Sequence, residues 1–143
     1  MPLLPAAVRM TAWKPCRQDS ERASSASVSG DWGLDTARRT YLPVGFDSYH
    51  WALRASDGRR FFLSVDDLDR KPWLGADRTS AFATASMLQR QAGLRFMVAP
   101  VPTLAGDLLR RITPQYSLAV FPFHEGRSDN YGEPLTPEDR RSA

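Results

Sequence analysis

Residues 36–65 constrain the fold more than any other part of the chain, because they contain three strand-like segments separated by short turns. The segments 36–44, 49–55 and 59–65 carry β-branched and aromatic residues that are typical of strands. Gly45 opens the first turn, and Asp57-Gly58 in the second turn is a strong signal for a β-hairpin. Strands joined by such short turns are antiparallel, so we expect a three-stranded antiparallel ribbon.

One helix and two further strands are expected after this ribbon. Residues 79–91 place apolar side chains at near-helical spacing, and Gly93 follows where a left-handed C-terminal cap belongs. The apolar segments 94–102 and 116–121 are the fourth and fifth predicted strands. The sequence therefore predicts an α+β fold in which one main helix packs on a five-stranded, mostly antiparallel sheet.

The two ends of the chain carry weaker structural signals. Residues 1–30 combine prolines with a Ser/Ala-rich segment, and this composition predicts a disordered or loosely docked leader. A short helix near residues 18–26 is the alternative. The domain is expected to cover residues 31–126, and the polar residues 127–143 are expected to form a C-terminal extension.

Composition and charge argue against several classes of function. The net charge of +3 is small and most arginines stand near acids, so no nucleic acid partner is expected. Cys16 is the single cysteine, which leaves no internal disulfide and no zinc cluster. No apolar run approaches the ~18 residues of a membrane-spanning helix. We therefore expect a soluble, cytoplasmic protein without a membrane partner.

Four segments resemble the N-terminal lobe of the aminoglycoside phosphotransferase family, whose fold is protein-kinase-like. They are LPVGFDSYHW, FFLSVDDLD, AGLRFMVAPVPT and AVFPFHEGRSDNYGE, and the similarity extends over residues 32–133. The resemblance implies a protein-kinase-like N-terminal lobe that binds ATP. In the whole enzyme of such a family, the ATP γ-phosphate is transferred to a hydroxyl group of a small molecule.

The resemblance also implies which residues contact the nucleotide. The loop that covers the phosphates, where backbone N–H groups approach an anion, would consist of Gly45, Phe46, Asp47 and Ser48. The hinge after the fifth strand would hold adenine through the carbonyl of Pro122 and the N–H of His124. Three apolar residues would line the adenine slot, namely Val65, Val98 and Phe121, and a place in the hydrophobic core is the alternative for each of them. For the loop alone, an ordinary hairpin turn is the alternative.

The sequence departs from the family at the position that matters most for phosphate binding. Kinases hold the α- and β-phosphates with a strand-three lysine, which a helix glutamate orients. Ser64 stands at the matching position, and the predicted helix 79–91 contains neither glutamate nor aspartate. The missing charge would have to come from elsewhere, with Lys71, Arg59 and Arg60 as the candidates.

No catalytic residue and no metal ligand is assigned. The family's catalytic base and Mg²⁺ ligands belong to a C-terminal lobe with a His-Gly-Asp-type loop, and neither His50 nor His124 is followed by Gly-Asp. We interpret the acids Asp66, Asp67 and Asp69 as a solvated surface. The resemblance thus implies a truncated or split protein that is not catalytic alone and that uses Mg²⁺ only when a catalytic lobe is supplied.

A second function class stays open beside nucleotide binding. A kinase N-terminal lobe without its partner lobe exposes an apolar underside, and such a surface favours binding of another protein. The chain would then be a non-catalytic interaction module, with a complementary C-terminal lobe or a second copy as the partner. The residues expected at that surface are Phe121, Phe123 and Tyr131.

Overall fold

The computed structural model describes residues 18–44, 48–72, 75–125 and 137, with the backbone alone at residues 75–77. The described helices and strands are α1 (Gln18–Gly30), β1 (Thr36–Leu42), β2 (Ser48–Ala55), β3 (Arg60–Asp67), α2 (Gly75–Arg90), β4 (Arg110–Arg111) and β5 (Tyr116–Pro122). The strands form one five-stranded sheet in the order β1-β2-β3-β5-β4, and every pair is antiparallel. The predicted α+β class and the antiparallel ribbon are confirmed.

The turn between β2 and β3 forms as the Asp-Gly signal predicts. Gly58 has a φ of 89°, in the left-handed region that glycine tolerates best. Its N–H donates to the Ala55 carbonyl, and the Ala55 N–H donates to the Arg59 carbonyl. This turn fixes a register in which Trp51 lies opposite Leu63, so the apolar residues of both strands share one face.

The prediction of a strand over residues 94–102 is wrong. In that segment Val101 donates its N–H to the Val120 carbonyl, but Pro100 and Pro102 have no N–H with which to continue a ladder. The edge position beside β5 belongs instead to β4, whose Arg110 and Arg111 lie opposite Leu118 and Ser117. Helix α2 begins at Gly75, four residues before the predicted start, so Asp77 and Arg78 lie in its first turn.

Within the predicted leader, residues 18–30 form a helix that packs on the sheet. Val28 is fully buried and belongs to the main hydrophobic cluster, and Ser20 and Ser24 are also fully buried. The Ser24 hydroxyl donates to the Glu21 carbonyl and accepts from the Arg39 guanidinium, so it is buried without an unmet hydrogen bond. Residues 18–30 thus form a helix docked on the sheet, in agreement with the alternative of a short helix near residues 18–26, whereas residues 1–17 lie outside the described part.

The two faces of the sheet have different cover. On the first face, apolar residues of β2, β3 and β5 form the core with Val28 of α1; they are Tyr49, Trp51, Leu53, Phe61, Leu63, Val65, Tyr116, Leu118 and Val120. Because side chains alternate along a strand, Phe62, Ser64 and Asp66 point to the second face. Helix α2 contacts this second face through Phe82, whose ring meets that of Phe121 edge-on at 5.6 Å. Neither described helix is long and apolar enough to span a membrane.

Candidate functional site

An apolar cavity of about 350 Å³ opens on the second face of the sheet, where β5 ends. Its lining residues come from β3, from the end of β5 and from the segment before β4; they are Phe62, Val98, Phe121, Pro122, Phe123 and His124. Phe62 and Phe121 lie directly opposite each other on β3 and β5, which places two aromatic rings in one wall. An apolar cavity with a few backbone polar groups at its rim is the usual form of a small-molecule site.

The two predicted hinge residues lie at this cavity. The Phe123 N–H donates to the Arg60 carbonyl, so Phe123 directs its backbone groups to β3 and the neighbouring Pro122 does not. Alternate residues of an antiparallel strand direct their backbone groups to opposite neighbours. Pro122, like Val120, therefore directs its carbonyl away from β3, and the proline removes no bond of the β3–β5 ladder. His124, two residues later, is exposed.

Val65 does not line this cavity, in contrast to the sequence prediction. It is fully buried in the core on the first face, between Tyr49 and Leu118 of the neighbouring strands. Phe62 lines the cavity in its place, and the sequence interpretation missed it. Strand alternation was the available signal, because Phe62 stands two residues before Ser64 and so shares its face.

At the other end of β3, a charged cluster surrounds one buried carboxylate. The charged cluster consists of Ser48, Asp66, Lys71 and Arg78. Ser48 lies opposite Asp66, and its hydroxyl donates to Asp66 Oδ1 at 2.5 Å. Lys71 Nζ lies 3.5 Å from the same Oδ1 and donates to Ser48 Oγ at 3.1 Å. Arg78 of α2 forms an ion pair with Asp66 Oδ2.

Burial makes these contacts necessary. Asp66 is 0% exposed, and a buried carboxylate without partners costs several kcal/mol. Two cations on one carboxylate leave the charged cluster with a net positive charge. Burial lowers the pKa of Arg78 from its ordinary value, but a guanidinium stays protonated in proteins. The side chains of Lys71 and Arg78 keep 14% and 23% of their surface exposed, so neither is fully enclosed.

The interpretation of the acids as a solvated surface is wrong for two of the three. Asp67 is 1% exposed and accepts hydrogen bonds from the Asp69 N–H and from the Gln115 amide, so it fixes the turn that follows β3. Asp69 alone is exposed. In the described ranges, no three metal-ligating side chains stand together as they would around a metal ion.

Two of the cations considered as substitutes for the missing lysine lie at the far end of β3. Arg59 pairs with Asp57 in the exposed hairpin, with Nε 2.7 Å from Oδ2. Arg60 forms an ion pair with Glu125, and its guanidinium lies 4.2 Å from the centre of the Phe123 ring. Both therefore stand away from the charged cluster.

The remaining predicted loop residues are only partly described. Ser48 begins β2 and belongs to the charged cluster, whereas Gly45, Phe46 and Asp47 lie outside the described residues, as does Tyr131. Ser64 is 6% exposed and lies between His50 and Ala119 of the neighbouring strands. It occupies the second face, between the apolar cavity and the charged cluster.

His50 lies between the same two features. Its ring stacks on Phe62 with 4.9 Å between the ring centres. The pKa of His50 is lowered from 6.5 to about 4, and burial is the largest cause. A hydrogen bond with the Leu63 backbone acts in the opposite direction, and the charges of Lys71 and Arg78 contribute to the lowering. The imidazole is therefore neutral at pH 7.

This low pKa predicts a pH dependence of stability. Between pH 6.5 and 4 the unfolded chain binds a proton at His50 that the folded chain does not, so stability falls as the pH falls through this window. Allowing for partial exposure of the ring, we expect a loss of about 2 kcal/mol in the free energy of unfolding. Urea unfolding at pH 7 and pH 4.5 should show a smaller loss for His50→Gln than for the wild type.

The second histidine provides the matched control. His124 is exposed, so His124→Gln should keep the wild-type pH dependence. Carboxylates also titrate in this window in the wild type and in both variants. Only the difference between these proteins in the loss of unfolding free energy from pH 7 to pH 4.5 therefore reports on His50. Equal pH dependences for His50→Gln and the wild type would contradict a buried, neutral His50.

No protein-family model and no curated protein matches this sequence. Solved structures do match in three dimensions. One is spectinomycin phosphotransferase in complex with ADP and spectinomycin, with a TM-score of 0.59 and 13% identity. Another is an amicoumacin kinase in complex with AMP-PNP and Ca²⁺, with a TM-score of 0.52 and 14% identity. The chain has a kinase-like N-terminal-lobe fold.

The match extends over most of this chain but a minority of each neighbour. It covers 86% and 90% of the chain, but only 34% and 36% of the spectinomycin phosphotransferase and the amicoumacin kinase. The chain therefore spans about a third of the length of these two structures. At such low identities the likeness establishes the fold, and membership of the aminoglycoside phosphotransferase family stays a prediction.

This kinase-like lobe has a strand-to-helix ion pair at Asp66, two residues after Ser64, and its signs are opposite to those of the protein-kinase pair. Protein kinases pair a lysine on strand three with a glutamate on the helix. Here the strand supplies the carboxylate of Asp66, and the helix supplies the cation of Arg78. Lys71, in the turn after the strand, adds a second cation to the same carboxylate.

Proposed function

We propose that this chain is the ATP-binding lobe of a small-molecule phosphotransferase. The observation that carries the proposal is the apolar cavity at the end of β5, which lies on the same face of β3 as the charged cluster. Both of the matched structures hold an adenine nucleotide, which supports a nucleotide as the ligand.

In this proposal the adenine ring occupies the apolar cavity between Phe62 and Val98. The carbonyl of Pro122 accepts a hydrogen bond from the adenine amino group, and the N–H of His124 donates to a ring nitrogen. The flat aromatic and aliphatic lining of the cavity suits a planar base, since stacking and burial supply most of the binding energy in such sites.

The phosphates then extend along the second face toward the loop of Gly45, Phe46, Asp47 and Ser48. No catalytic residue is assigned to this chain, because phosphoryl transfer requires a base for the acceptor and carboxylates for Mg²⁺. These groups would come from a further lobe, and the acceptor would be a hydroxyl of a small molecule in the cytoplasm. The isolated chain binds ATP in this proposal and does not catalyse transfer.

The adenine position predicts how a cavity-filling substitution acts. Val98 lines the cavity and is 52% exposed, so Val98→Trp fills the slot and removes little core packing. Calorimetric titration of the full chain should show adenosine binding, weakened at least about tenfold in Val98→Trp, which corresponds to about 1.4 kcal/mol. Met87→Trp is the matched control, since Met87 is 49% exposed on α2 and does not line the cavity.

A chain that binds no adenosine, or a Val98→Trp variant that binds it as tightly as Met87→Trp, would contradict the proposal. The second candidate is an interaction module that binds a complementary catalytic lobe, and two exposed apolar side chains in the segment before β4 favour it. Phe96 is 78% exposed and Val98 52%. Absence of adenosine binding, together with association that Phe96→Ser and Val98→Ser abolish, would support this candidate.

A further inference from the structure

Building on the proposed nucleotide function, we propose that Lys71 and Arg78, held by the buried Asp66, bind the phosphates of the nucleotide. They would supply the positive charge that strand three lacks at Ser64. In this proposal the positive charge of the site comes from the turn after β3 and from the first turn of α2, and not from the strand itself.

The position of the charged cluster relative to the apolar cavity supports this assignment. Asp66 follows Phe62 by four residues on the same strand and the same face, a separation of about 13 Å. That span is comparable with the length of a nucleoside that carries a short phosphate chain. A base beside Phe62 would thus bring its outer phosphates to the cations that surround Asp66.

The hydrogen bonds of the charged cluster point to the same end of the site. Ser48 is the last residue of the predicted phosphate loop, and its hydroxyl connects Lys71 Nζ to Asp66 Oδ1. Lys71 therefore has its ammonium group at the end of that loop, although the residue itself follows β3.

The balance of charge favours an anion. Asp66 is fully buried, whereas the side chains of the two cations that contact it, Lys71 and Arg78, keep part of their surface exposed. A kinase lysine–glutamate pair carries no net charge, whereas this cluster carries one positive charge. Because Asp66 fixes both cations, they lose little further side-chain entropy on binding.

The other cations near the site do not fit this role. Arg60 stands six residues before Asp66, which is about 20 Å along the strand. It is engaged with Glu125 and Phe123 at the cavity end, and Arg59 is engaged with Asp57. Neither approaches the end of the phosphate loop.

The test compares adenosine with ATP, so that base binding and phosphate binding are measured separately. Calorimetric titrations of the full chain should give tighter binding of ATP than of adenosine. Lys71→Gln should weaken ATP about tenfold and Lys71→Gln/Arg78→Gln about a hundredfold, as expected for charge-assisted hydrogen bonds. Adenosine affinity should stay unchanged in both variants. Arg54→Gln, an exposed arginine on β2, is the matched control and should keep the preference for ATP.

One further variant separates phosphate binding from folding. Asp66→Asn/Lys71→Gln/Arg78→Gln leaves no lone buried charge, and its circular dichroism should match the wild type. It should bind adenosine as the wild type does and lose the preference for ATP. Equal affinities of adenosine and ATP in the wild type, or a retained preference in the triple variant, would overturn the assignment and leave the proposed function intact. Absence of binding by both ligands would overturn both proposals.

Discussion

Replacing Asp66 by alanine should lower the free energy of unfolding by about 3–5 kcal/mol, the usual cost of breaking a buried ion pair from one side. The variant leaves Lys71 and Arg78 close together with no carboxylate between them, and it also removes the acceptor of the Ser48 hydroxyl. Urea unfolding followed by tryptophan fluorescence measures the loss. A substantial unfolded fraction at 37 °C is expected, since a whole domain is stable by only about 5–15 kcal/mol.

Asp69→Ala is the matched control, because Asp69 is an exposed acid three residues further along the chain, in the turn after β3. Its effect should stay within about 0.5 kcal/mol. Adding Lys71→Met and Arg78→Met to Asp66→Ala should restore part of the stability, because the penalty comes from the cations left without their partner. An Asp66→Ala variant as stable as Asp69→Ala would show that the ion pair does not form.

Replacing Val28 by aspartate should cost about 3 kcal/mol or more, because a carboxylate would enter the apolar core without a partner. Val28 is fully buried among the core residues and lies on α1, in the segment whose composition predicts disorder. The expected result is a large decrease in the urea midpoint. Hydrogen exchange should also become faster at the α1 amides.

Ser29→Asp places the same charge one residue later, on the exposed side of α1. An acid in the last turn of a helix costs at most about 1 kcal/mol, so this control should remain folded. If Val28→Asp is as stable as Ser29→Asp, α1 does not pack on the sheet, and the expectation of a loosely docked leader is restored.

The parts of the fold that the sequence predicts are those with local signals. Asp57-Gly58 specifies its own hairpin, and Gly93 has the left-handed φ of 67° expected after α2. The sequence gives a weak signal for helix α1 because Val28 is its main apolar contribution to the core, and its buried Ser24 depends on a hydrogen bond from Arg39, which is distant in sequence. The fourth strand is predicted at residues 94–102 and lies at residues 110–111 instead, because an apolar segment indicates burial and does not by itself indicate a hydrogen-bond ladder.

The candidate site likewise has residues with a local sequence signal and residues whose role depends on distant parts of the chain. The resemblance to the aminoglycoside phosphotransferase family implies Pro122 and His124 as hinge residues, and both line the apolar cavity at the end of β5. The role of Asp66 could not be read in this way, since an acid in a charged run usually faces solvent. Its burial depends on Lys71 and Arg78, which come from a turn and a helix that only the folded chain brings to the strand. Its alternation with Phe62 and Ser64 was nevertheless a local sign that it faces the site.

The sheet order has one further consequence. β1 has a strand neighbour on one side alone in the described part of the sheet, so its outer edge presents backbone groups that another chain could join. Arg38 and Arg39 stand in the middle of this strand, and Pro43 follows it. Charges and a proline are the features that prevent edge-to-edge growth of sheets. This edge is therefore protected against aggregation through strand addition.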